Sequence, residues 1–126
     1  MITYETFSPG QVMGSSEAVL DTAKLQAWRA LFPEDDFGGE MPHGMVAAIA
    51  MRAYAEVLQP RPPGNVHAAQ HFDLFRLPRA GERLTTTITC LEKEIRKGRF
   101  RVTLGMDTVG SEGPAFRGRM TVLWAA

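Results

Sequence analysis

Residues 37–58 read FGGEMPHGMVAAIAMRAYAEVL: a glycine pair, a short Pro42-His43-Gly44 turn, then an almost unbroken run of Ala, Met, Val and Ile. Ala and Met are good helix formers, so the run predicts a helix over about Gly44–Leu58. After Gly44 its only charges are Arg52 and Glu56, four residues apart and therefore on a single stripe of the cylinder. A helix that is apolar around most of its circumference must be enclosed by other structure, because a surface helix needs only one apolar face.

The flanking sequence supplies the enclosure. Residues Met1 to Leu20 mix short β-branched pieces with Ser8-Pro9-Gly10 and Gly14-Ser15-Ser16, which predicts one or two short strands. Asp21 or Thr22 then caps a short helix with Leu25, Trp28, Leu31 and Phe32 at helical spacing, ended by Pro33. Beyond Leu58, the stretch Gln59-Pro60-Arg61-Pro62-Pro63-Gly64-Asn65 cannot continue a helix and must be a connecting loop. Four strands follow, roughly Val66–Phe75, Arg83–Glu94, Arg99–Val109 and Phe116–Trp124. Turn signals separate them at Pro78-Arg79-Ala80-Gly81, Lys97-Gly98 and Gly110-Ser111-Glu112-Gly113-Pro114, spaced for an antiparallel meander. Alternation puts the even-numbered face inward: Leu84, Ile88 and Cys90, then Phe100, Val102, Leu104 and Met106, then Phe116, Met120, Val122 and Trp124. The expected fold is α+β: residues 1–126 as one domain in which a long antiparallel sheet wraps a central helix, the hot-dog architecture.

At 126 residues one core is expected. With 14 basic and 14 acidic residues, bulk charge gives no reason to expect nucleic acid or an anionic membrane as a partner. The single Cys90 excludes an internal disulfide and a cysteine metal cluster. No segment reaches the roughly 20 apolar residues needed to cross a bilayer, and the N-terminal residues lack a basic region followed by an apolar stretch, so a soluble, cytoplasmic protein is expected.

His43-Gly44-Met45 at the helix start, Val66-His67-Ala68 running to Phe72, and Leu77-Pro78-Arg79-Ala80-Gly81-Glu82-Arg83-Leu84 together resemble the MaoC-like hot-dog hydratases. Phe7-Ser8-Pro9-Gly10-Gln11 is similar to that family's N-terminal Phe-x-x-Gly-Gln. Asp21 to Phe32 is similar to its first helix, and Lys97-Gly98-Arg99 and Gly113 to its last two hairpins. The resemblance spans almost the whole chain. It implies acyl-thioester chemistry of the enoyl-CoA hydratase or 3-hydroxyacyl-thioester dehydratase class, on a coenzyme A or acyl-carrier-protein thioester, in a homodimer. Coenzyme A enters as part of the substrate, and no further cofactor is implied. The chain departs from the family at one place. Catalytic members carry Asp-x-Asn-Pro-x-His between the first helix and the central one, whereas this chain has Phe32-Pro33-Glu34-Asp35-Asp36-Phe37-Gly38-Gly39. Carboxylates stand where the family has Asp, the Asn-Pro-x-His is missing, and the usual dyad is absent.

The candidate catalytic residues are therefore Asp35, Asp36, His43 and Gly44. In the resembling family the N–H at the Gly44 position polarises the thioester carbonyl, and helix-start N–H groups do stabilise developing oxyanion charge. The same residues also serve as a tight entry into a buried helix. Asp35 or Asp36 would act as general base, with Glu40 a third carboxylate nearby, although acidic residues after a helix-ending proline also make solvated loop. His43 or His67 would supply the missing imidazole. His67, His71 and Asp73 share one strand face but are too widely spaced to meet at one ion, so no metal is expected. Arg99, Arg101, Arg117 and Arg119, with Arg96 and Lys97, turn away from the core and form a candidate cationic patch for coenzyme A phosphates, or a solvated outer face that discourages edge aggregation. Arg52 is expected to pair with Glu56. Two other functions fit the sequence. A hot-dog thioesterase would use a carboxylate about two turns into the central helix, where this chain has Met51, Arg52 and Ala53. A non-catalytic acyl-CoA-binding or partner subunit needs no catalytic pair.

Overall fold

The computed structural model describes residues 1–35 and 38–126. A 3₁₀ turn at Tyr4–Thr6 leads to β1 (Val12–Val19), α1 (Thr22–Leu31), α2 (Met45–Val57), β2 (Val66–Leu74), β3 (Arg83–Arg96), β4 (Arg99–Gly110) and β5 (Gly113–Trp124). The strands form one antiparallel sheet in the order β1-β3-β4-β5-β2, and α2 lies on its inner face.

Local chemistry sets the ends of these elements. Asp21 caps α1 by accepting the Lys24 N–H at 2.8 Å, satisfying a donor that the helix itself leaves unpaired. Lys97 and Gly98 both adopt positive φ, 53° and 74°, making the two-residue turn whose twist matches the flanking β3 and β4. All the expected inward residues of β3, β4 and β5 are buried except Phe100, which packs half-buried against the same core. Thr86 and Thr108 also point inward, and they satisfy each other through a 2.7 Å hydroxyl–hydroxyl hydrogen bond.

Two expectations need correction. The meander holds for β3-β4-β5, but β2 pairs with β5 at the sheet edge rather than with β3. Composition explains the placement: Val66, Leu74 and Phe75 stay exposed and Phe72 is the residue that packs inward, as suits an edge strand. Pro78–Gly81 is consequently not a hairpin turn but part of a crossover. This crossover runs beside the segment entering α2, with Met41 N–H donating to the Pro78 carbonyl at 2.7 Å and Ala80 N–H to the Gly39 carbonyl at 2.8 Å. The second correction concerns α2. Met45, Val46, Ile49, Ala50, Ala53 and Tyr54 are buried, but Ala47, Ala48, Arg52 and Glu56 are exposed, so one chain encloses its helix on one side only.

One ion pair holds the crossover in place. Arg76 donates to both carboxylate oxygens of Glu82, at 3.0 and 2.6 Å, and to the Gly113 carbonyl at 3.0 Å. Glu82 also accepts the N–H groups of Arg79 and Ser111 at 3.0 and 3.1 Å. A Cβ at Gly110 would overlap the Glu82 carboxylate, which is why the β4–β5 turn begins with glycine. Hydrogen bonding from Arg76 outweighs burial and holds the Glu82 carboxyl below the usual range. A depressed folded pKa stabilises the fold above the ordinary carboxylate range, and this contribution disappears as pH falls through the folded value. Glu82→Gln should therefore cost about 3 kcal/mol in urea unfolding at neutral pH, since Arg76 keeps one edge in solvent. Its deficit against the unmodified chain should shrink as the pH drops below about 4.

Candidate functional site

The site assembles where α1 ends and α2 begins. Leu25 buries one end of α1, contributing about 2 kcal/mol. Leu31 and Phe32, expected on the inward stripe of α1, are instead 74% and 49% exposed. The end of α1 is therefore held by polar contacts. Pro33 and Glu34 turn the chain, and the Asp35 N–H closes that turn on the Phe32 carbonyl at 3.0 Å.

The turn delivers the Asp35 carboxylate to the start of α2. Its Oδ2 accepts two hydrogen bonds, from Trp28 Nε1–H at 2.9 Å and from the Gly44 backbone N–H at 3.0 Å. Gly44 is the N-cap of α2 and has no side chain to cap the helix with, so a carboxylate from nine residues upstream does so. Hydrogen bonds to a charged acceptor contribute roughly 1.5–3 kcal/mol each, comparable with burying Leu25. The next two N–H groups, of Met45 and Val46, bond back to the carbonyls of Pro42 and His43 at 3.0 and 3.2 Å.

Glycine is required at position 44 by packing. A Cβ there would lie 2.7 Å from Trp28 Cζ2 and 2.8 Å from Asp35 Oδ2. The Trp28 ring is pressed between this glycine and Phe32, whose ring centroid is 4.7 Å away. A hollow of about 480 Å³ lined by Leu31, Phe32, Pro33, Glu34 and Asp35 adjoins the carboxylate.

Of the predicted catalytic residues, the structure brings together Asp35 and Gly44, with His43 exposed one residue before Gly44. Asp36 lies outside the described residues. Glu40 is exposed and its backbone bridges to Arg79. Trp28 enters the sequence reading only as one of the helically spaced residues of α1, not as a site residue. The available signal was its indole N–H, which needs a partner when the ring is half-buried.

The remaining candidates lie elsewhere. A bulge between His67 and Ala69 in β2 sets His67 opposite the inward Val122, whereas His71 stands opposite the outward Arg119. The two histidines therefore do not share a face; His67 lies 3.1 Å from Gln70 and His71 lies 3.1 Å from Asp73. Among the described residues, no group of three or more His, Cys, Asp or Glu side chains is placed to hold a metal ion. The cationic residues divide into two groups on the outer sheet face. Arg117 and Arg119 line an outer groove of about 560 Å³ and face Asp107 at 2.7 Å and Glu92 at 3.5 Å. Arg101, opposed to Glu94 at 3.9 Å, lies four residues along β4 from Gly105, the partner of Arg119, or about 13 Å. Arg99 has no carboxylate partner among the described residues and sits with Arg96 and Lys97 at the β3–β4 tip. Within one chain, none of these arginines is on the face that carries α2. Arg52 pairs with Glu56 at 2.9 Å as expected, and Ser16 donates to the same carboxylate. Burial raises the pKa of the Cys90 thiol, consistent with an inert core residue.

No helix among the described residues is long and apolar enough to cross a membrane. No family model matches the chain, and no curated protein matches it. Solved structures do. A MaoC-like dehydratase from Rhodospirillum rubrum superposes with a TM-score of 0.82 at 20% identity, over 100% of this chain and 99% of the other. The unliganded R-hydratase PhaJ1 from Pseudomonas aeruginosa gives 0.79 at 20% identity, over 98% and 85%. The fold is the hot-dog fold of the MaoC-like proteins. It is also shared by a protein described as a probable thioesterase from Bartonella henselae, with a TM-score of 0.67 at 13% identity over 89% of each chain. Similarity at this level establishes architecture, and chemistry has to be argued from the Asp35–Gly44 geometry.

Replacing Gly44 with Ala should force Trp28 and Asp35 apart, since both lie closer than a Cβ tolerates. We expect a loss of about 1–3 kcal/mol in thermal or urea unfolding. An alanine at the exposed Ala47 position extended to serine should cost far less in the same measurement.

Proposed function

We propose that the chain is an acyl-thioester hydratase or dehydratase of the MaoC type, acting at the start of α2. The observation that carries this reading is the 3.0 Å approach of the Asp35 carboxylate to the Gly44 N–H, which puts a base beside an oxyanion donor at a helix N-terminus. In the hydration direction, the Gly44 N–H passes from Asp35 to the thioester carbonyl oxygen. Asp35 then takes a proton from water as the water oxygen bonds to the β-carbon. The electron pair of the α,β double bond moves toward the carbonyl, and the resulting enolate is held by Gly44. The His43 imidazole relays to the α-carbon the proton that Asp35 gives up through solvent, so the net change is addition of H and OH. Elimination is the reverse. Asp36 carries no step in this scheme.

The acyl group would be carried by coenzyme A or an acyl carrier protein, in a cytoplasmic homodimer. Arg99 and Arg101 are the part of the cationic set that we assign to the carrier's phosphates, approached from a second copy's site. They are separate from the groove where Arg117 and Arg119 face acidic neighbours.

A second reading rests on the same hydrogen bond. A helix start already capped by Asp35 suits a subunit that binds an acyl thioester, or completes a heteromeric enzyme, without turning it over. A carboxylate at this place also suits attack of water on the thioester carbonyl carbon, as in a thioesterase.

Incubation with crotonyl-CoA and butyryl-CoA separates these outcomes. Hydration should consume the enoyl absorbance without releasing thiol, and Asp35→Asn should lower kcat by about 10²–10⁴-fold while leaving the fold intact. Free thiol from either substrate would instead support the thioesterase, and ligand-raised Tm without turnover the binding subunit. In the same assay Arg99→Glu/Arg101→Glu should raise KM for crotonyl-CoA and leave that for crotonyl-pantetheine unchanged.

A further inference from the structure

Building on the hydratase reading, we infer that Trp28 is a positioning residue that keeps Asp35 at the site when the Gly44 N–H passes to the substrate. Two N–H donors converge on the single atom Asp35 Oδ2, at 2.9 Å from the indole and 3.0 Å from Gly44. A thioester carbonyl needs the second of these donors, so a bound substrate and the present Gly44–Asp35 hydrogen bond exclude each other. A carboxylate that lost its only anchor would swing into solvent on its short, half-exposed loop. Here it retains the indole.

The two donors differ in what their loss entails. The Gly44 N–H can turn to a new acceptor without moving, because any carbonyl arriving at the helix start finds it already aimed. The Trp28 N–H has no such freedom. Its ring occupies the space a Gly44 Cβ would take and packs against Phe32, and α1 is pinned from behind by buried Leu25. A half-buried indole N–H that released Asp35 would exchange a charged acceptor for a neutral one, which is less favourable. The carboxylate therefore pivots about the indole, and the Asp35 N–H bond to the Phe32 carbonyl keeps that pivot short. Substrate binding and base positioning are thus coupled through one oxygen atom.

The test combines spectroscopy and kinetics. In ¹H–¹⁵N spectra of the intact protein titrated with butyryl-CoA, whose saturated chain cannot be hydrated, the Gly44 amide resonance should move. The Trp28 indole resonance should hold its hydrogen-bonded position. If both move as if released, Asp35 leaves both donors and the inference is wrong. If Gly44 does not move, the ligand does not take its N–H, and it is the underlying functional reading that fails, carrying this inference with it. In kinetics, Trp28→Phe keeps the ring and removes the donor, and should lower kcat on crotonyl-CoA by about 10–100-fold with KM within about twofold. In an Asp35→Asn background the same substitution should cost less than about twofold, because there is no longer a carboxylate to hold. An equal loss in both backgrounds would assign Trp28 to packing alone. Should Trp28→Phe fail to fold, the titration of the unmodified protein still decides the question.

Discussion

The Asp35 carboxylate is shared by two donors, the indole of Trp28 on α1 and the amide of Gly44 at the N-cap of α2, and the arrangement of both helix ends depends on it. A helix start leaves N–H groups without intrahelical partners, and a buried, side-chain-capped start is the usual remedy. Gly44 offers no cap of its own because Trp28 occupies the space where a side chain would be. The cap therefore has to come from elsewhere in the chain, and the Pro33–Glu34 turn brings it. Each of these facts requires the others: glycine because the indole is close, a distant cap because of glycine, and a tight turn because the cap is distant.

The surrounding frame keeps this contact from being a loose loop interaction. The segment entering α2 is bonded to the β2–β3 crossover by Met41 and Ala80, and the crossover is fixed by the Arg76–Glu82 pair to the β4–β5 turn. A buried pair of this kind is a weak source of net stability, since both charges lose water, but removing one partner leaves the other stranded. Its effect is to specify position. Four acceptor contacts on one carboxylate allow the crossover a single path, and that path sets where Gly39 and Met41 must lie.

How much of this was legible in the sequence follows from the range of each signal. The even-numbered core of β3, β4 and β5 was readable because a two-residue period persists along each strand, and the limits of α2 because composition changes at Gly44 and again before Pro60. The place of β2 was not, because period and turn residues do not say whether a strand joins its neighbour or crosses the sheet. The bulge at Ala68 was equally silent and put His67 and His71 on opposite faces. At the site, Asp35 was visible as a carboxylate near the helix start, but not as its cap. The contact spans Trp28 to Gly44 across a turn and a helix end, and no residue spacing encodes it. The likeness to hydratase sequences pointed to the start of α2, where this chain lacks the Asn-Pro-x-His of that family.

The unfinished enclosure of α2 bears on the same site. Its run of Ala, Met, Val and Ile is more apolar than a half-exposed helix requires, and one chain covers only the side bearing Met45, Ile49 and Ala53. Exposed Ala47 and Ala48 follow Gly44 within a turn, and among the described strands β2 pairs only with β5, with Val66, Leu74 and Phe75 exposed. A free edge and an uncovered apolar helix are each unfavourable in water, and a second copy laid along both would relieve the two together. Such a copy would border the start of α2 from the open side. The Asp35–Gly44 contact would then lie beneath a cover, where displaced water strengthens every hydrogen bond to that carboxylate. A contact that in one chain caps a helix would, in that setting, become the polar floor of a cleft.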